Sequence, residues 1–245
     1  MPDSVVFNEL ASVDSTNNYA MGKVHAAMAK HGEAWFAYEQ TAGKGQRGRN
    51  WLGSPGENIA MSIALYPLQM KASQQFLLSM ATALACRDLF SNYEVDEMKI
   101  KWPNDLYWRD RKAGGILIEN IFAGNQWKAA VIGIGININQ VIFDAALKNP
   151  VSLRQITGKE ENILNPAKEL HRLVLKRFDE IDKRPPSDLL NEYNSHLFAL
   201  NKTVRLKKEN MIFETMIKGV NEKGQLITMD ATERTWEFGE LSWVF

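Results

Sequence analysis

The sequence predicts an α+β fold, a β-sheet flanked by helices and followed by a smaller all-β module. Three observations carry that prediction. Strand-like apolar runs are interleaved with long helical stripes up to Leu197. Between Val131 and Gln140, Ile132, Ile134, Ile136 and Ile138 alternate with Gly133, Gly135, Asn137 and Asn139, and a period of two marks a strand with one wholly isoleucine face. From Lys202 the texture changes to short strand-like runs separated by turns such as Asn221-Glu-Lys-Gly224.

In chain order, the first strand-like run is Val5-Val6-Phe7. Ser15 and Thr16 are good caps for a helix whose amphipathic stretch runs through Met28. Ala34–Glu39 reads as a buried strand, Gly43 to Gly56 as a glycine-rich loop, and Ile59–Leu65 as an apolar strand. Phe76, Leu77, Met80, Ala81, Leu84 and Leu89 share one helical stripe. Ile100–Trp108 and Ile116–Ile121 read as strands flanking a short basic turn. The strand over 131–140 has a nearly bare face opposite its isoleucines, where a ligand could approach the backbone closely. Asn165 caps and Pro166 starts a helix with the stripe Leu170, Leu173, Val174, Phe178 and Ile181; Pro185-Pro186 ends it, and a second helix runs to about Leu197. Val204–Lys208, Met211–Gly219, Gln225–Met229, Arg234–Phe238 and Leu241–Phe245 form a small module that reads as a barrel. The division expected is a main domain of residues 1–199 and a module of residues 200–245, the latter small enough to need packing on the former.

Composition excludes several classes. Of 245 residues, 45% are hydrophobic and 24% charged, enough apolar matter for a real core and too much for global disorder. Lys+Arg and Asp+Glu are both 29, so the chain is a poor candidate for general nucleic-acid binding, and any anion site must come from local clustering. One cysteine, Cys86, permits neither an intramolecular disulfide nor a thiolate metal site. His25, His31, His171 and His196 lack close metal-ligand spacing. The longest uncharged stretches, Ala72–Cys86 and Ala129–Phe143, are about 15 residues long, too short and too polar to span a bilayer. The Met-Pro-Asp-Ser start is no signal peptide, so a cytoplasmic location is the expectation.

Four segments could carry chemistry. The densest is Gly43-Lys-Gly-Gln-Arg-Gly-Arg-Asn-Trp51, which matches G-x-G-x-x-G in letters only. A dinucleotide fingerprint needs a helix opening at the third glycine and an acid about 20 residues on; here Asn50-Trp-Leu-Gly-Ser-Pro follows and residues 64–72 hold no acid. No Gly-Lys-Ser/Thr makes it a Walker loop either. What remains is Lys44, Arg47 and Arg49 on a flexible loop with no acid between Glu39 and Glu57, a cluster that repels itself unless an anion sits among its charges, or else a plain solvated loop. Trp51 is an aromatic plate beside it, for a base or for the core. In Lys99-Ile-Lys-Trp-Pro-Asn-Asp-Leu-Tyr107, Asn104 and Asp105 stand at a turn, to bind a ligand, orient a metal ion or simply form the turn. In Arg111-Lys-Ala-Gly-Gly-Ile116, Lys112 precedes a glycine pair opening a buried strand; it can reach into a pocket whose floor Gly114 and Gly115 keep clear, or be an exposed turn lysine. Asn137 and Asn139 place amides on the bare strand face.

Singly these signals are weak, but their order is specific. Asp14-Ser-Thr-Asn17, Gln40-Thr-Ala-Gly-Lys-Gly-Gln-Arg-Gly-Arg49 with Trp51, Lys101-Trp-Pro-Asn-Asp105, Lys112-Ala-Gly-Gly-Ile-Leu-Ile-Glu119 and Gly133-Ile-Gly-Ile-Asn-Ile-Asn139 together closely resemble the biotin–protein ligase family. The resemblance is strong over residues 12–140 and continues weakly into the C-terminal module at Gly219, Gly224 and Gly239-Glu240. It implies a mixed β-sheet flanked by helices, of the class II aminoacyl-tRNA synthetase/biotin synthetase kind, with a small SH3-like barrel behind it. It further implies activation of biotin with MgATP to biotinyl-5′-AMP, and transfer to one lysine of a biotin carboxyl carrier protein. The relatives for lipoate or octanoate share that fold but usually lack the cationic loop with its tryptophan; a non-catalytic biotin sensor is the other alternative.

Carried over residue by residue, Ser15, Thr16, Asn17 and Gln40 would hold the ureido ring of biotin. Gly43, Lys44, Gly45 and Gln46 would lie in the loop closing over biotin and adenylate, with Lys44 also on the nucleotide side. Arg47 and Arg49 would meet the phosphates and Trp51 would stack near adenine. Asn104, Asp105, Ile136 and Asn137 would line the nucleotide side, with Asp105 a candidate for magnesium. Lys112 would bridge the biotin carboxylate and the α-phosphate, with Gly114 and Gly115 bordering the biotin tail. Lys112, Arg47 and Arg49 are then the expected catalytic cations. The chain departs from the family at Lys44 and Gln46, places often held by arginine, where a weaker charge could loosen retention of the adenylate. Only 14 residues precede Ser15, so the winged-helix DNA-binding domain of larger relatives is not expected. An exposed sheet edge could pair two copies into a homodimer, though nothing in the sequence requires it. Lys202, Arg205, Lys207 and Lys208 read first as a solvated strand edge and second as a docking patch for an acidic carrier.

Overall fold

Side-chain alternation sorts the main sheet into two unlike faces. The structure, a computed structural model, describes residues 6–244; the Met-Pro-Asp-Ser start, Val5 and Phe245 lie outside the described residues. The elements are β1 (Phe7–Val13), α1 (Thr16–His25), β2 (Ala34–Gln40), β3 (Asn58–Leu65), α2 (Gln75–Ser91), β4 (Met98–Lys101), β5 (Asp105–Trp108), β6 (Arg111–Ala123), β7 (Gln126–Asn137), α3 (Leu153–Thr157), α4 (Leu164–Asp179), α5 (Pro186–Ser195), β8 (Thr203–Lys208), β9 (Met211–Val220), β10 (Leu226–Met229), β11 (Glu233–Trp236) and β12 (Ser242–Val244). A seven-stranded sheet runs in the order β1-β2-β3-β7-β6-β5-β4. It is mixed: β1 lies parallel to β2 and the other pairs are antiparallel. A second, antiparallel sheet of five strands, β11-β10-β9-β8-β12, corresponds to the expected C-terminal β module.

On β7, Ile132, Ile134 and Ile136, with Ile138 just beyond, point to the main core, packed with Leu78, Leu84 and Phe90 of α2 and Leu170 and Val174 of α4. On the other face, Ala20 of α1 packs over Trp35, Ala64 and Val131 in a small separate cluster. Beyond that cluster the face is nearly bare. Ser62 lies opposite Gly133 and Ala60 opposite Gly135 in the β3–β7 register. Leu117 and Gly115 lie opposite the same two glycines from β6. Ala60, Ser62, Gly115, Gly133 and Gly135 on adjacent strands therefore form a trough, with Leu117 at its side, and the cleft sits there.

Several elements differ from expectation. Of the expected run Val5-Val6-Phe7, Val5 lies outside the described residues; the first described strand runs Phe7–Val13, well past that run, because pairing to β2 supplies the order that this polar stretch does not announce. The first helix stops at His25, where Ala27 turns into the left-handed region at φ 54, and Met28 is left exposed beyond it. Ile100–Trp108 is two strands, β4 and β5, folded back across a turn at 102–104 with a cis Trp102–Pro103 peptide. Lys112, Gly114 and Gly115 lie within β6 rather than in the turn before it. The helix expected from Asn165 begins at Leu164 with Ile163 at its N-cap position and no side-chain cap, and in the turn before it Asn162 Oδ1 accepts from Leu164 N at 3.2 Å. Pro166 is tolerated in that first turn, where its missing N–H has no intrahelical partner. The short α3, closed by a Ser152–Gln155 capping box, had no sequence counterpart.

Candidate active site

The cleft is built from strand ends and one loop. Ser15, Thr16 and Asn17 begin α1, and burial of all three turns the first helical turn into a cleft wall. The Ser15 side chain makes no capping bond. Gln40, ending β2, faces this wall: its Oε1 accepts from Thr16 N at 2.8 Å and from Thr16 Oγ1 at 3.0 Å. Ser62 Oγ lies 2.8 Å from Thr16 Oγ1 and 2.5 Å from Asn17 Oδ1, its single proton shared between the two. Asn17 Nδ2 in turn donates to Glu119 Oε2 at 2.8 Å. The amide and hydroxyl groups are thus oriented by a buried polar network, and such networks hold one geometry when their members are satisfied.

At the other end, Lys112 and Asp105 meet. Lys112 Nζ lies 2.6 Å from Asp105 Oδ1, with the two side chains 33% and 20% exposed. Asn104 Nδ2 donates to the Ile116 carbonyl at 2.8 Å, which pins the β4–β5 turn against β6. The Lys112 backbone is clamped by the 149–151 segment: its N–H donates to Asn149 O at 2.8 Å and its carbonyl accepts from Val151 N at 2.9 Å. Behind the pair lies Lys101, 7% exposed, 3.2 Å from the Tyr107 hydroxyl and 4.5 Å above its ring. Burial brings the Lys101 ammonium down to about 8, with the Asp105 carboxylate opposing that shift.

The glycine-rich loop crosses over the trough. Lys44 and Asn50 form an isolated antiparallel bridge, with a short 3-10 turn at Gln46–Gly48 between them. Trp51 lies flat on the bare face: a Cβ added to Gly135 would fall 2.3 Å from its Cε2. Gly133 is just as constrained, since a Cβ there would fall 2.1 Å from Asn17 Oδ1. Gln46 Nε2 donates to the Ile116 carbonyl at 3.3 Å, while its Oε1 is buried with no hydrogen-bond partner.

Of the residues the sequence singles out, Ser15, Thr16, Asn17, Gln40, Lys44, Gly45, Gln46, Trp51, Asn104, Asp105, Lys112 and Gly115 line one cleft. The others are elsewhere. Gly43 is buried under the Trp51 carbonyl and borders a neighbouring groove. Gly114 lies on the core face of β6, where a Cβ would meet the Gly135 carbonyl at 2.8 Å. Ile136 is wholly buried in the core because it falls on the even-numbered face of β7. Asn137 shares the cleft's face but spends its amide on the Val151 carbonyl at 3.0 Å. Asn139 is tied likewise, by two bonds to the Glu161 backbone at 2.8 and 2.9 Å. Arg47 and Arg49 are exposed, and Arg47 Nη1 donates to the Gly239 carbonyl at 3.0 Å. Trp51 covers the β7 glycines on the wall of the cleft that Thr16, Asn17, Asp105 and Lys112 also line. Ser62 and Glu119 were not singled out. For Ser62 the signal was there: Asn58, Ala60, Ser62 and Ala64 alternate with Ile59, Met61, Ile63 and Leu65, the small-or-polar and large-apolar faces of one strand.

A model of the biotin/lipoate A/B protein ligase family matches residues 9–137, which is the stretch that builds this cleft. The chain belongs to this family. Within it, the bifunctional ligase/repressor BirA of Escherichia coli is 27% identical over 238 residues, covering 95% of this chain and 72% of that one. The biotin–[acetyl-CoA-carboxylase] ligase of Paracoccus denitrificans is 39% identical over 156 residues, 61% of this chain and 63% of its own length. Among solved structures, the biotin protein ligase of Aquifex aeolicus, in complex with biotin and ATP, superposes with a TM-score of 0.81 at 23% identity, covering 97% of both chains. That likeness establishes the fold, including the second sheet. No helix among the described residues is long and apolar enough to cross a membrane.

Proposed function

We propose that this chain is an ATP-dependent biotin–protein ligase. It joins biotin to ATP as biotinyl-5′-AMP and then passes the biotinyl group to a lysine of a biotin carboxyl carrier protein. One observation carries the reading: a single trough has oriented amide and hydroxyl groups at one end and the Lys112–Asp105 pair at the other. A ureido ring has N–H donors and a carbonyl acceptor, which Gln40, Thr16 and Asn17 can answer. The apolar ring and tail of biotin suit the cleft beside Trp51, whose indole already lies against Gly135 and forms a wall of that cleft.

In the first step a biotin carboxylate oxygen attacks the α-phosphorus of ATP, and the bond to pyrophosphate breaks. The nucleophile is already an anion, so no base is required. What the step needs is positioning and fixed positive charge, because an anion must approach an anion. Lys112 is anchored by its backbone at the trough's far end, where carboxylate and phosphate would meet. In the second step the neutral acceptor amine attacks the acyl carbon, the bond from that carbon to the phosphate oxygen breaks so that AMP leaves, and the nitrogen gives up one proton to solvent, keeping the other as the amide N–H. MgATP enters as the substrate. Among the described residues no three His, Cys, Asp or Glu side chains gather into a metal cage. Among the described residues that line the cleft, Asp105 is the one carboxylate able to add a ligand to an ion carried in by the triphosphate. The deciding experiment is transfer of labelled biotin, lipoate or octanoate to apo carrier protein in the presence of MgATP. Incorporation of biotin alone supports the proposal; preference for lipoate or octanoate, or biotin binding without pyrophosphate release, overturns it.

A further inference from the structure

The glycine-rich loop is tied to the second sheet at one point. Arg47 sits at φ 57, ψ 41, a left-handed form uncommon for arginine. Gln46 lines the cleft while Arg47 points out of it, and Arg47 Nη1 donates to the Gly239 carbonyl at 3.0 Å. Gly239 itself has φ +93, and a Cβ there would come 3.1 Å from the Arg47 Cζ. A side chain at position 239 would therefore strain the turn and crowd the Arg47 guanidinium that the carbonyl holds. The acceptor turn is firmly built. Glu237 N donates to Glu240 Oε2 at 2.8 Å, and Glu240 pairs with Lys208 at 3.5 Å. Phe238 meets Trp102 edge-on at 6.4 Å, and Trp102 Nε1 donates to the Gly224 carbonyl at 2.8 Å. Trp102 begins the turn that carries Asn104 and Asp105, so one corner of the second sheet braces both that turn and the loop.

We propose that the Gly239 turn is a positioning element for the glycine-rich loop: its carbonyl holds Arg47 outside the cleft, and the phosphates of ATP draw the guanidinium off it. A carbonyl is a neutral acceptor and a triphosphate an anion, so the charge-assisted bond to phosphate is the stronger. The resting contact then opposes ATP binding, and cutting it from the Gly239 side leaves Arg47 free for the phosphates. The second half of this inference rests on the ligase reading; the first half does not.

The test is amide hydrogen exchange on the full-length, ligand-free chain, with Gly239→Ala, Arg47→Ala and the double variant beside the wild type. Each single substitution should speed exchange over residues 43–51 by about two- to tenfold, the worth of one hydrogen bond, with the double no faster than the faster single. Arg47→Ala should also speed exchange at 237–240, which decides the matter should Gly239→Ala fail to fold. By calorimetry Gly239→Ala should bind ATP about two- to tenfold tighter, with biotin affinity unchanged. Unchanged exchange in the singles, or effects that add in the double, overturns the contact. Faster exchange with unchanged or weaker ATP binding overturns the release step. A wild type that binds no ATP removes the ligase reading instead, and the exchange results still stand on their own.

Discussion

Gly133→Ala tests whether the bare strand face is a requirement or a coincidence. The new Cβ would stand 2.1 Å from Asn17 Oδ1 and 2.8 Å from its Cγ. Asn17 has nowhere to swing: it is 3% exposed and is held between the Ser62 hydroxyl at 2.5 Å and the Glu119 carboxylate at 2.8 Å. To admit the methyl group, the amide must leave both partners. A neutral hydrogen bond contributes about 1 kcal/mol net and one to a charged group about 1.5–3 kcal/mol, so the loss is about 2–4 kcal/mol of stability. Urea unfolding at unchanged m-value reads this directly. Biotin affinity should fall with it, because the displaced amide is part of the proposed ureido site. In an Asn17→Ala background the clash is gone, and Gly133→Ala should then cost less than about 1 kcal/mol. A single variant within about 0.5 kcal/mol of wild type, or an equal cost in both backgrounds, would refute the reasoning.

Two further outcomes follow from the geometry. Lys112→Ala should slow formation of biotinyl-5′-AMP by about 10²–10³-fold, the usual scale for one preorganised electrostatic donor. Single-turnover adenylation near the wild-type rate would remove Lys112 from the mechanism. His171, 7% exposed with its Nε2 donating to the Gly32 carbonyl at 2.7 Å, is held below its ordinary pKa of 6.5 by burial; burial also lowers His31 and His196. The unfolded chain therefore takes up protons at higher pH than the folded one, so stability is full above about pH 6.5 and declines as pH falls below it. The thermal midpoint should drop between pH 7 and pH 5, with a shallower slope in His171→Gln; an unchanged slope in that variant would exclude His171 as a contributor.

Much of the fold was legible because periodicity reports which face of an element is buried. The isoleucine register of β7 fixed both its core face and its bare face, and the five C-terminal strands fell close to their expected bounds. What was lost depended on partners distant in sequence. Phe7–Val13 carries Asn8, Glu9 and Ser12 and becomes a strand through pairing with β2. At the site, residue types were readable but destinations were not. Nothing local distinguishes Asn137, whose amide is taken by Val151, from Asn17, whose amide lines the cleft. Ile136 illustrates the opposite case: alternation alone places it on the core side, and the motif resemblance pulled it toward the nucleotide against that physical signal.

The cations that the family resemblance assigns to the reaction divide by what holds them. Lys112 stands on a strand paired on both sides, with its N–H and carbonyl both bonded to the 149–151 segment. Lys44, Arg47 and Arg49 are exposed on a loop whose one isolated bridge joins Lys44 and Asn50. A strand-borne charge is already where the transition state needs it and gives its full electrostatic effect without reorganisation. A loop-borne charge must first be ordered, and part of its interaction with phosphate offsets that ordering. Under the ligase reading, ordering of such a loop by phosphate would screen a mixed anhydride from water. A chain with no net charge cannot rely on a global field to gather ATP. With one such cation on a strand and three on an exposed loop, the ligase reading makes an anion in the cleft the group that would draw the loop's charges together.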